Sequence, residues 1–288
     1  MKKIYFTKMS GAGNDFIVID RNQNVEFKLN PAEIKSLCHR RNGIGADGVI
    51  TIYDSDKYDF VMEYYNADGS TGSLCGNGAR CAIKFANDSN RLNTGKAKFI
   101  SNGECYLGDV ISEEQIRFCL NPPKQLKTNF KIKAGGQLIN SSFVDTGSPH
   151  VVIKIDEVLR DVKNLSSIYN NINEFPVFNL GNEIRYHKDF SPSGTNVNFI
   201  LIKDDKISIR TYERGVEDET LACGTGSVAA AYISYLNYNL KPPITLLTRG
   251  GDELIVNFKI IDNEVAGMSL IGPAKSIYNG EFFLNKFL

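Results

Sequence analysis

The sequence predicts an α+β fold made of two similar domains. Short segments rich in β-branched and aromatic residues outnumber helical segments, and they do not alternate with helices as a regular βαβ sheet requires. The chain has 288 residues, which at about 150 residues per domain suggests roughly two domains. Two groups of residues also recur in the same order in both halves, which indicates an internal duplication.

The first half is predicted to hold two helices among several strands. Asn30 is a good N-cap and Pro31 suits the first helical position, so a helix should begin there and stop at Gly43. A second helix should begin near Gly76, because alanine and isoleucine recur on one helical face beyond it. Strands are predicted at KIYFTKM, DFIVID, VITIY, DFVMEYY, KAKFIS, CYLGDV and QIRFCL.

The second half repeats this mixture after residues 121–123, Asn-Pro-Pro, which form the best candidate for a linker. A helix is predicted after Asp156, followed by a polar run to Thr195, and another helix after Cys223. Strands are predicted at SSFVDTG, VVIKI, NFILI and KISIRTYE, with more up to Leu270.

The charge balance limits the partners of the protein. Lys and Arg together number 33, as do Asp and Glu, so the chain lacks the basic excess typical of nucleic-acid binders. Neither a secretory signal nor an apolar stretch long enough to cross a bilayer can be recognised. We therefore expect a cytoplasmic protein with no nucleic-acid and no membrane partner.

The cysteines and histidines do not form a metal-binding pattern. No two cysteines form C-x-x-C, and the three histidines are scattered singly, so we expect no metal site. In a cytoplasmic protein the thiols should be reduced. The six cysteines are Cys38, Cys75, Cys81, Cys105, Cys119 and Cys223.

Residues 43–48 match the pattern G-x-G-x-x-G, which is the fingerprint of dinucleotide binding. That fingerprint requires a strand before it and a helix after it, so that the pyrophosphate meets the helix N-terminus. Here a helix is predicted before it and a strand after it. A glycine-rich connection explains the segment better than a cofactor site.

A cysteine-glycine motif occurs once in each half. Residues 75–78 read Cys-Gly-Asn-Gly and begin ten residues after Tyr65, while residues 223–226 read Cys-Gly-Thr-Gly and begin eleven residues after Tyr212. A second echo links residues 13–19 with residues 196–202. Two echoes in the same order favour two homologous halves over coincidence.

Each of these cysteines is expected just before a helix N-terminus. The outward-pointing N–H groups and the positive end of the helix dipole favour the thiolate, and glycines let the backbone approach a ligand closely. Such helix ends also suit a carboxylate or a phosphate. For one motif alone, a tight turn into a packed helix would suffice as an explanation, but its duplication favours function.

Two opposed thiols match the needs of a racemase or an epimerase. One group must remove a proton from a carbon while another returns a proton to the opposite face, and thiol and thiolate can coexist near neutral pH. A hydrolase needs a single nucleophile with a base, so the symmetry would serve no purpose. This chemistry requires no cofactor, and a pyridoxal site need not be assumed.

The motifs resemble those of the diaminopimelate epimerase family over nearly the full chain. The matching segments are residues 8–16, 43–47, 65–70, 75–80, 149–150, 212–215 and 222–226. The resemblance implies an isomerase that uses no cofactor and interconverts LL- and meso-2,6-diaminopimelate, a small-molecule substrate, on the route to lysine and peptidoglycan precursors.

The resemblance also implies an architecture. Each of two pseudo-symmetric domains would be a curved mixed β-sheet wrapped around a central helix, with the substrate between the domains. The last residues would return to the first domain, so the domains would be 1–121 plus 275–288 and 122–274. A homodimer is also implied, although no feature of the sequence itself indicates one.

The resemblance assigns roles to residues of this sequence. Cys75 and Cys223 would be the catalytic acid–base thiols, and Glu213 and His150 would contact substrate or tune the thiols. The guanidinium fork of Arg214 is suited to the distal carboxylate. The residues implied to bind substrate are Asn14, Asn66, Gly76, Asn77, Asn196, Glu213, Arg214, Gly224 and Thr225.

Three departures from the family pattern stand out. Many relatives carry glutamine where this chain has Gly48 and asparagine where it has Ser148, and one extra residue lies between Arg214 and Cys223. The loss of two amide side chains removes hydrogen bonds to the amino groups of the substrate, whereas the thiol chemistry is unaffected.

Two alternatives stay open at this point. A proline or hydroxyproline racemase would share the fold and the thiols, but a cyclic amino acid has no second end for Asn66, Asn196 and Arg214 to bind. A binding module without catalysis would use the same glycine-rich helix ends and would not exchange the Cα proton of its ligand.

Overall fold

The computed structural model describes residues 3–24, 28–72, 74–262 and 264–283. The chain forms two compact units. The N-terminal unit runs to Cys119 and resumes at Ile271, and the C-terminal unit is Leu120–Leu270. Within the described ranges, every helix is too short or too polar to span a lipid bilayer.

The N-terminal unit contains eight strands and two α-helices in its described residues. The helices are α1 (Pro31–Cys38) and α2 (Gly76–Asp88). The strands are β1 (Lys3–Gly11), β2 (Asn14–Asp20), β3 (Gly48–Tyr53), β4 (Phe60–Asn66), β5 (Lys96–Ser101), β6 (Glu104–Val110), β7 (Gln115–Leu120) and, at the end of the chain, β17 (Lys275–Phe283).

The start of α1 agrees with the prediction, but its end does not. The Asn30 side chain accepts the Glu33 N–H at 3.0 Å, and the Glu33 carboxylate accepts the Asn30 N–H at 2.7 Å, so a full capping box forms. The helix ends at Cys38 and not at Gly43. The reason is that the His39 ring accepts two of the following backbone N–H groups and draws the chain into a turn.

The sheet of the N-terminal unit is mixed and surrounds α2. Strand β1 pairs antiparallel with β17 and β2, β2 pairs parallel with β3, and β3 pairs antiparallel with β4. Strand β4 then pairs parallel with β5, followed by antiparallel pairs through β6 to β7. Every residue of α2 from Gly76 to Ile83 is buried, because the helix packs against strands on several sides.

The C-terminal unit also contains two α-helices, and its described residues form nine strands. Its α-helices are α3 (Val177–Arg185) and α4 (Gly224–Tyr238). Its strands are β8 (Lys124–Ala134), β9 (Gln137–Asp145), β10 (Pro149–Lys154), β11 (Asn196–Lys203), β12 (Lys206–Glu213), β13 (Asp218–Thr220), β14 (Ile244–Leu247), β15 (Glu253–Ile261) and β16 (Glu264–Pro273), which extends beyond the unit boundary.

Strand pairing follows the same order in both units. In the C-terminal unit β9 and β10 are antiparallel, β10 and β11 parallel, β11 and β12 antiparallel, and β12 and β14 parallel. This order repeats that of β1 to β5, so α4 corresponds to α2 and β12 to β4. Like α2, α4 packs against several strands of its own sheet. The predicted α+β class, with a mixed sheet around a central helix in each half, is confirmed.

One of the two sequence echoes agrees with this correspondence. The echo from each tyrosine to its cysteine joins β4 with β12 and α2 with α4, as the pairing requires. The echo between residues 13–19 and 196–202 is wrong, because it equates β2 with β11, whereas β11 corresponds to β3. Buried strands with parallel neighbours are rich in apolar residues, so their sequences look alike without being equivalent.

The helix predicted after Asp156 is also wrong. Only a single 3₁₀ turn, Ile155–Glu157, forms there, and the helix of this region is α3. Side chains of Asp161, Asn164 and Asn171 each accept the N–H two residues further on. Such side-chain hydrogen bonds compete with helix formation, and they favour turns across the asparagine- and serine-rich segment.

Candidate active site

Cys75 is the N-cap of α2. Its backbone is extended, with φ −94° and ψ 120°, and its carbonyl accepts the Ala79 N–H at 2.8 Å as the first bond of the helix. The thiol is half-buried. The N–H groups of the first turn point out of this helix end, so Cys75 lies in the positive field of the α2 dipole.

A buried arginine lies beneath this helix end. The guanidinium of Arg80 is fully buried and donates to the Asn77 side-chain oxygen at 2.9 Å and to the Gly76 carbonyl at 3.4 Å. The Asn77 amide in turn donates to the side-chain oxygen of Asn14. Two of the predicted substrate-binding residues, Asn14 and Asn77, are therefore joined to each other and to Arg80.

Asn14 is also joined to a network of charges at the start of β2. Its amide donates to the Asp47 carboxylate at 3.1 Å. Asp15 is paired with Lys8 at 2.7 Å and with Arg40 at 2.7 Å. Burial opposes ionisation of Asp15, but the hydrogen bonds from Arg40 and Lys8 outweigh it and hold the pKa of Asp15 below its ordinary value.

Asn66, the last residue of β4, lies in a turn. Its amide donates to the Ser70 hydroxyl at 3.0 Å, and its backbone N–H donates to the Ser70 carbonyl at 2.9 Å. Asp68 accepts from the same hydroxyl at 2.6 Å. The turn holds the Asn66 side chain in one direction, although no contact in the described structure joins it to the Asn14 group.

Cys223 is the N-cap of α4 and corresponds to Cys75. Its backbone is also extended, with φ −119° and ψ 115°, and its carbonyl accepts the Ser227 N–H at 2.9 Å. The residue is buried, with 7% of its surface exposed. The Cys223 sulfur lies 3.6 Å from the Thr225 hydroxyl, which belongs to the first turn of α4.

His150 meets this helix end from β10. Its Nε2 atom lies 2.9 Å from both the Thr225 hydroxyl and the Ser148 hydroxyl. Its Nδ1 atom lies 3.1 Å from the amide nitrogen of Asn198. The pKa of His150 is lowered from its ordinary 6.5 to about 3. Burial is the main cause, and the positive charge of Arg214 adds to it. The imidazole is therefore neutral near neutral pH.

Asn196 and Arg214 are in contact, and Glu213 is adjacent. The Asn196 oxygen accepts the Arg214 N–H at 2.9 Å, and its amide donates to the Pro149 carbonyl at 2.9 Å. Asn196 thus positions the backbone of Arg214. The Glu213 carboxylate accepts from the Thr220 hydroxyl at 2.7 Å.

The Arg214 side chain lines a cavity of about 490 Å³ in the C-terminal unit. The stacked rings of Phe143 and Phe190 form an apolar part of its wall, and Asp145 and Lys127 supply charge. Burial and the nearby Arg185 lower the pKa of Arg214. The charged guanidinium is therefore less stable here than in water. A carboxylate bound beside it would stabilise the charge.

Comparison with known proteins assigns the chain to a family. A family model described as diaminopimelate epimerase matches residues 6–117 and 142–277. The diaminopimelate epimerase of Chlorobaculum tepidum is 42% identical over 96% of this chain and 100% of its own length. That of Methanocella arvoryzae is 39% identical over 98% of this chain and 97% of its own. The chain belongs to the diaminopimelate epimerase family.

Solved structures share the fold of this diaminopimelate epimerase family member at low identity. A probable proline racemase from Agrobacterium radiobacter matches with a TM-score of 0.71 and 11% identity, over 98% of this chain and 93% of its own. A phenazine biosynthesis protein of the PhzF family from Bacillus anthracis matches with a TM-score of 0.70 and 14% identity, over 98% of this chain and 100% of its own. These likenesses show a common fold and carry no argument about substrate.

The other four cysteines differ from the two N-cap thiols. All six cysteines lie among the described residues, and none is in a disulfide. Burial raises the pKa of Cys38 and of Cys81 to about 12, and it also raises the pKa of Cys119. Cys105 is exposed on β6. In this diaminopimelate epimerase family member, the buried thiols that do not cap a helix N-terminus are thus held protonated.

The structure explains one departure from the family pattern, Gly48, and shows the contacts of another, Ser148. A Cβ on Gly48 would lie 2.5 Å from the Tyr65 carbonyl and 2.6 Å from the Tyr64 ring, so this backbone has no room for glutamine. The Ser148 hydroxyl bonds to His150 and lies 3.2 Å from the Thr225 hydroxyl. Ser148 therefore belongs to the group around Cys223.

Sequence reasoning missed two residues of these sites. Asn198 carries the amide that contacts His150, and Arg80 is a buried cation within α2. Arg80 is part of a matching segment of the diaminopimelate epimerase pattern, but nothing in the sequence indicates that its charge is buried. Asn198 follows Asn196 by two residues on β11, and this spacing, which puts both side chains on one face, was the available signal.

Proposed function

We propose that the protein interconverts LL- and meso-2,6-diaminopimelate without a cofactor, with Cys75 and Cys223 as its two acid–base groups. In one direction one cysteine, as thiolate, removes the Cα proton, and the other, as thiol, protonates the opposite face. The reverse reaction exchanges their roles. The observation that carries this proposal is that both cysteines are N-caps of equivalent helices in two units of equivalent topology.

The helix ends supply more than thiolate stabilisation. The backbone N–H groups of Gly76 and Asn77, and of Gly224 and Thr225, would donate to the carboxylate at the reacting carbon. That carboxylate gains negative charge when the Cα proton leaves, so preorganised N–H donors and two helix dipoles stabilise the intermediate more than the substrate. Because the thiols would titrate as a coupled pair, the pH profile of the rate would report the pair.

The remaining residues would select a substrate with a second amino-acid end. Arg214 would pair with the distal carboxylate, supported by the hydrogen bond from its backbone to Asn196. Asn14 and Asn66 would bind polar groups of the substrate, with Asn14 held by Asn77 and Asp47. Glu213 and His150 would adjust the electrostatics around the thiols. The product would feed the synthesis of lysine and peptidoglycan precursors.

Exchange of the Cα proton with solvent deuterium tests this function. The purified protein is incubated in heavy water with LL-diaminopimelate, and incorporated deuterium and the stereochemical composition are followed together. We expect both, and we expect Cys75→Ala and Cys223→Ala each to lower epimerisation by at least about 10³-fold, since each removes one acid–base group. Cys105→Ala removes an exposed thiol and should retain full activity.

The same assay separates the alternatives. Turnover of proline or hydroxyproline in place of diaminopimelate would establish the racemase of the same fold. Tight binding of diaminopimelate without deuterium incorporation would establish a binding module. Substantial epimerisation by either cysteine variant would contradict the two-thiol mechanism.

A further inference from the structure

The orientation of one buried amide, that of Asn198, is fixed by its surroundings. Asn198 is fully buried. Its nitrogen lies 2.9 Å from the Val151 carbonyl, which can only accept, so the NH₂ group must face that carbonyl. Its oxygen accepts from the Thr211 hydroxyl at 3.0 Å. The second N–H of the amide therefore points at Nδ1 of His150, 3.1 Å away.

This orientation decides which nitrogen of His150 carries the proton. Nδ1 accepts from Asn198, so it must hold a lone pair. The buried imidazole is neutral, because burial and the charge of Arg214 hold its pKa near 3. A neutral imidazole carries one proton, which is then on Nε2.

The proton on Nε2 sets the direction of the hydroxyls beyond it. Ser148 and Thr225 both lie 2.9 Å from Nε2, and neither can donate to a nitrogen that already carries hydrogen. Both hydroxyls therefore accept from the ring and donate elsewhere. Ser148 has the Thr225 oxygen at 3.2 Å, and Thr225 has the Cys223 sulfur at 3.6 Å.

We propose that Asn198 is a positioning residue that fixes the tautomer of His150, so that the Thr225 hydroxyl donates its hydrogen to the Cys223 thiolate. The chain of donors runs from Asn198 through His150 to Thr225, with Ser148 at its side. It delivers one hydrogen bond to sulfur without placing a charge beside it. When Cys223 is protonated, its S–H donates to the Thr225 oxygen, and the Thr225 hydroxyl turns to donate to the Ser148 oxygen at 3.2 Å. This inference rests on the role of Cys223 in the proposed function.

The second glycine of the C-terminal motif provides the space for this arrangement. A Cβ on Gly226 would lie 2.3 Å from the Asn198 oxygen. A larger residue would displace the amide that orients His150. Gly226 is therefore needed to leave room for the Asn198 side chain, whether or not a ligand also approaches this backbone.

The tautomer can be read directly by NMR. Protein labelled with ¹⁵N in histidine is examined by long-range ¹H–¹⁵N correlation between pH 5 and 9, with His150→Gln assigning the His150 signals. We expect Nε2 protonated and Nδ1 unprotonated throughout this range. In Asn198→Asp the carboxylate can only accept, so Nδ1 should gain a proton. A proton on Nδ1 in the unsubstituted protein would overturn the proposal, whatever the variant does.

The effect on sulfur is measured by the pH dependence of Cys223 alkylation. The rate of reaction with iodoacetamide is followed by mass spectrometry on the tryptic peptide that begins at Gly215. We expect Thr225→Val to raise the pH at which the alkylation rate is half-maximal (the midpoint) by about one unit, because the thiolate loses a hydrogen bond. Thr225→Ser retains the hydroxyl and should restore the midpoint.

Ser227→Ala is the matched control. The Ser227 hydroxyl also lies in the first turn of α4, but it donates to the Cys223 carbonyl at 2.9 Å and not to sulfur. Its removal should leave the midpoint unchanged. An equal shift in Ser227→Ala and Thr225→Val, or no shift in Thr225→Val, would contradict the proposal. Neither measurement uses substrate, so each can fail while the epimerase assay succeeds, or succeed while that assay fails.

Discussion

The first turns of α2 and α4 begin alike but lie in different chemical surroundings. Each helix follows an extended cysteine and contains a glycine at its first and third positions. Five residues after Cys75 comes Arg80, a buried cation, whereas the residue five after Cys223 is the buried apolar Val228. Around Cys223 the polar groups are a neutral imidazole and two hydroxyls. The duplication thus kept the backbone geometry of the thiols and changed what stabilises them.

The difference bears on the roles that we propose for the two thiols. We expect the Arg80 cation near the start of α2 to favour thiolate at Cys75 through its field, and the group around Cys223 to offer a hydrogen bond that can reverse when sulfur gains a proton. An epimerase needs one thiolate and one thiol in each direction. The two N-cap thiols of the proposed mechanism therefore lie in different surroundings.

Replacing Arg80 should produce the largest effect. Arg80→Met removes the guanidinium hydrogen bonds to the Asn77 side chain and to the Gly76 and Pro273 carbonyls, so we expect a loss of about 3 kcal/mol in the free energy of unfolding, measured by urea denaturation. The midpoint of Cys75 alkylation should also rise, and that of Cys223 should not.

Val228→Ala is the control at the equivalent position. It removes two buried methyl groups and should cost about 2 kcal/mol, as is usual for a cavity, without changing the alkylation of Cys223. If Arg80→Met left the Cys75 midpoint unchanged, the electrostatic half of the comparison would be wrong.

The C-terminal unit should also be the more sensitive to mild acid. His150 has a folded-state pKa of about 3 against an ordinary 6.5, so the unfolded chain binds a proton first as pH falls. The contribution of His150 to the free energy of unfolding is complete above pH 6.5 and is lost progressively as the pH falls to about 3. Between pH 6.5 and 4.5 the loss should be about 2 kcal/mol in denaturant titrations.

His150→Gln should abolish that slope whatever its effect on stability at pH 7. Asp15 in the N-terminal unit behaves differently, because its folded pKa lies below the ordinary 3.8. Its contribution is complete above pH 3.8 and is lost only as pH falls below that value. A slope between pH 6.5 and 4.5 that persists in His150→Gln would show that another group causes it.

The smallest predicted difference is between the third-position glycines of the two helices. A Cβ on Gly226 would collide with the buried Asn198 amide at 2.3 Å. A Cβ on Gly78 would have the tip of Ile50 as its nearest neighbour at 3.3 Å, with its other neighbours at ordinary contact distance, 3.6 Å. We expect Gly226→Ala to cost about 2 kcal/mol through overpacking. Gly78→Ala should fall within about 1 kcal/mol of the unsubstituted protein, since alanine favours the helix. Equal costs by thermal or urea unfolding would refute the packing difference.

Local pattern was sufficient for much of the fold. The N-cap at Asn30, the starts of α2 and α4 and the strands around them followed from turn residues, capping and β-branched runs, because these depend on neighbours in sequence. The correspondence between the two cysteine-glycine motifs could be predicted for the same reason. The helix predicted after Asp156 failed where asparagine and aspartate side chains took the backbone hydrogen bonds of the segment instead.

The sequence by itself determined the α+β class, the duplication and the family motifs, because each depends on the spacing of residues that are close together in the chain. Only the tertiary structure decided that β11 corresponds to β3, that the Arg80 side chain of α2 is buried, and that the Asn198 amide faces His150. These depend on which strands pair and on where a side chain meets residues far along the chain. Apolar strands and single polar residues carry no mark of such partners, so the surroundings of each thiol could not be read in advance.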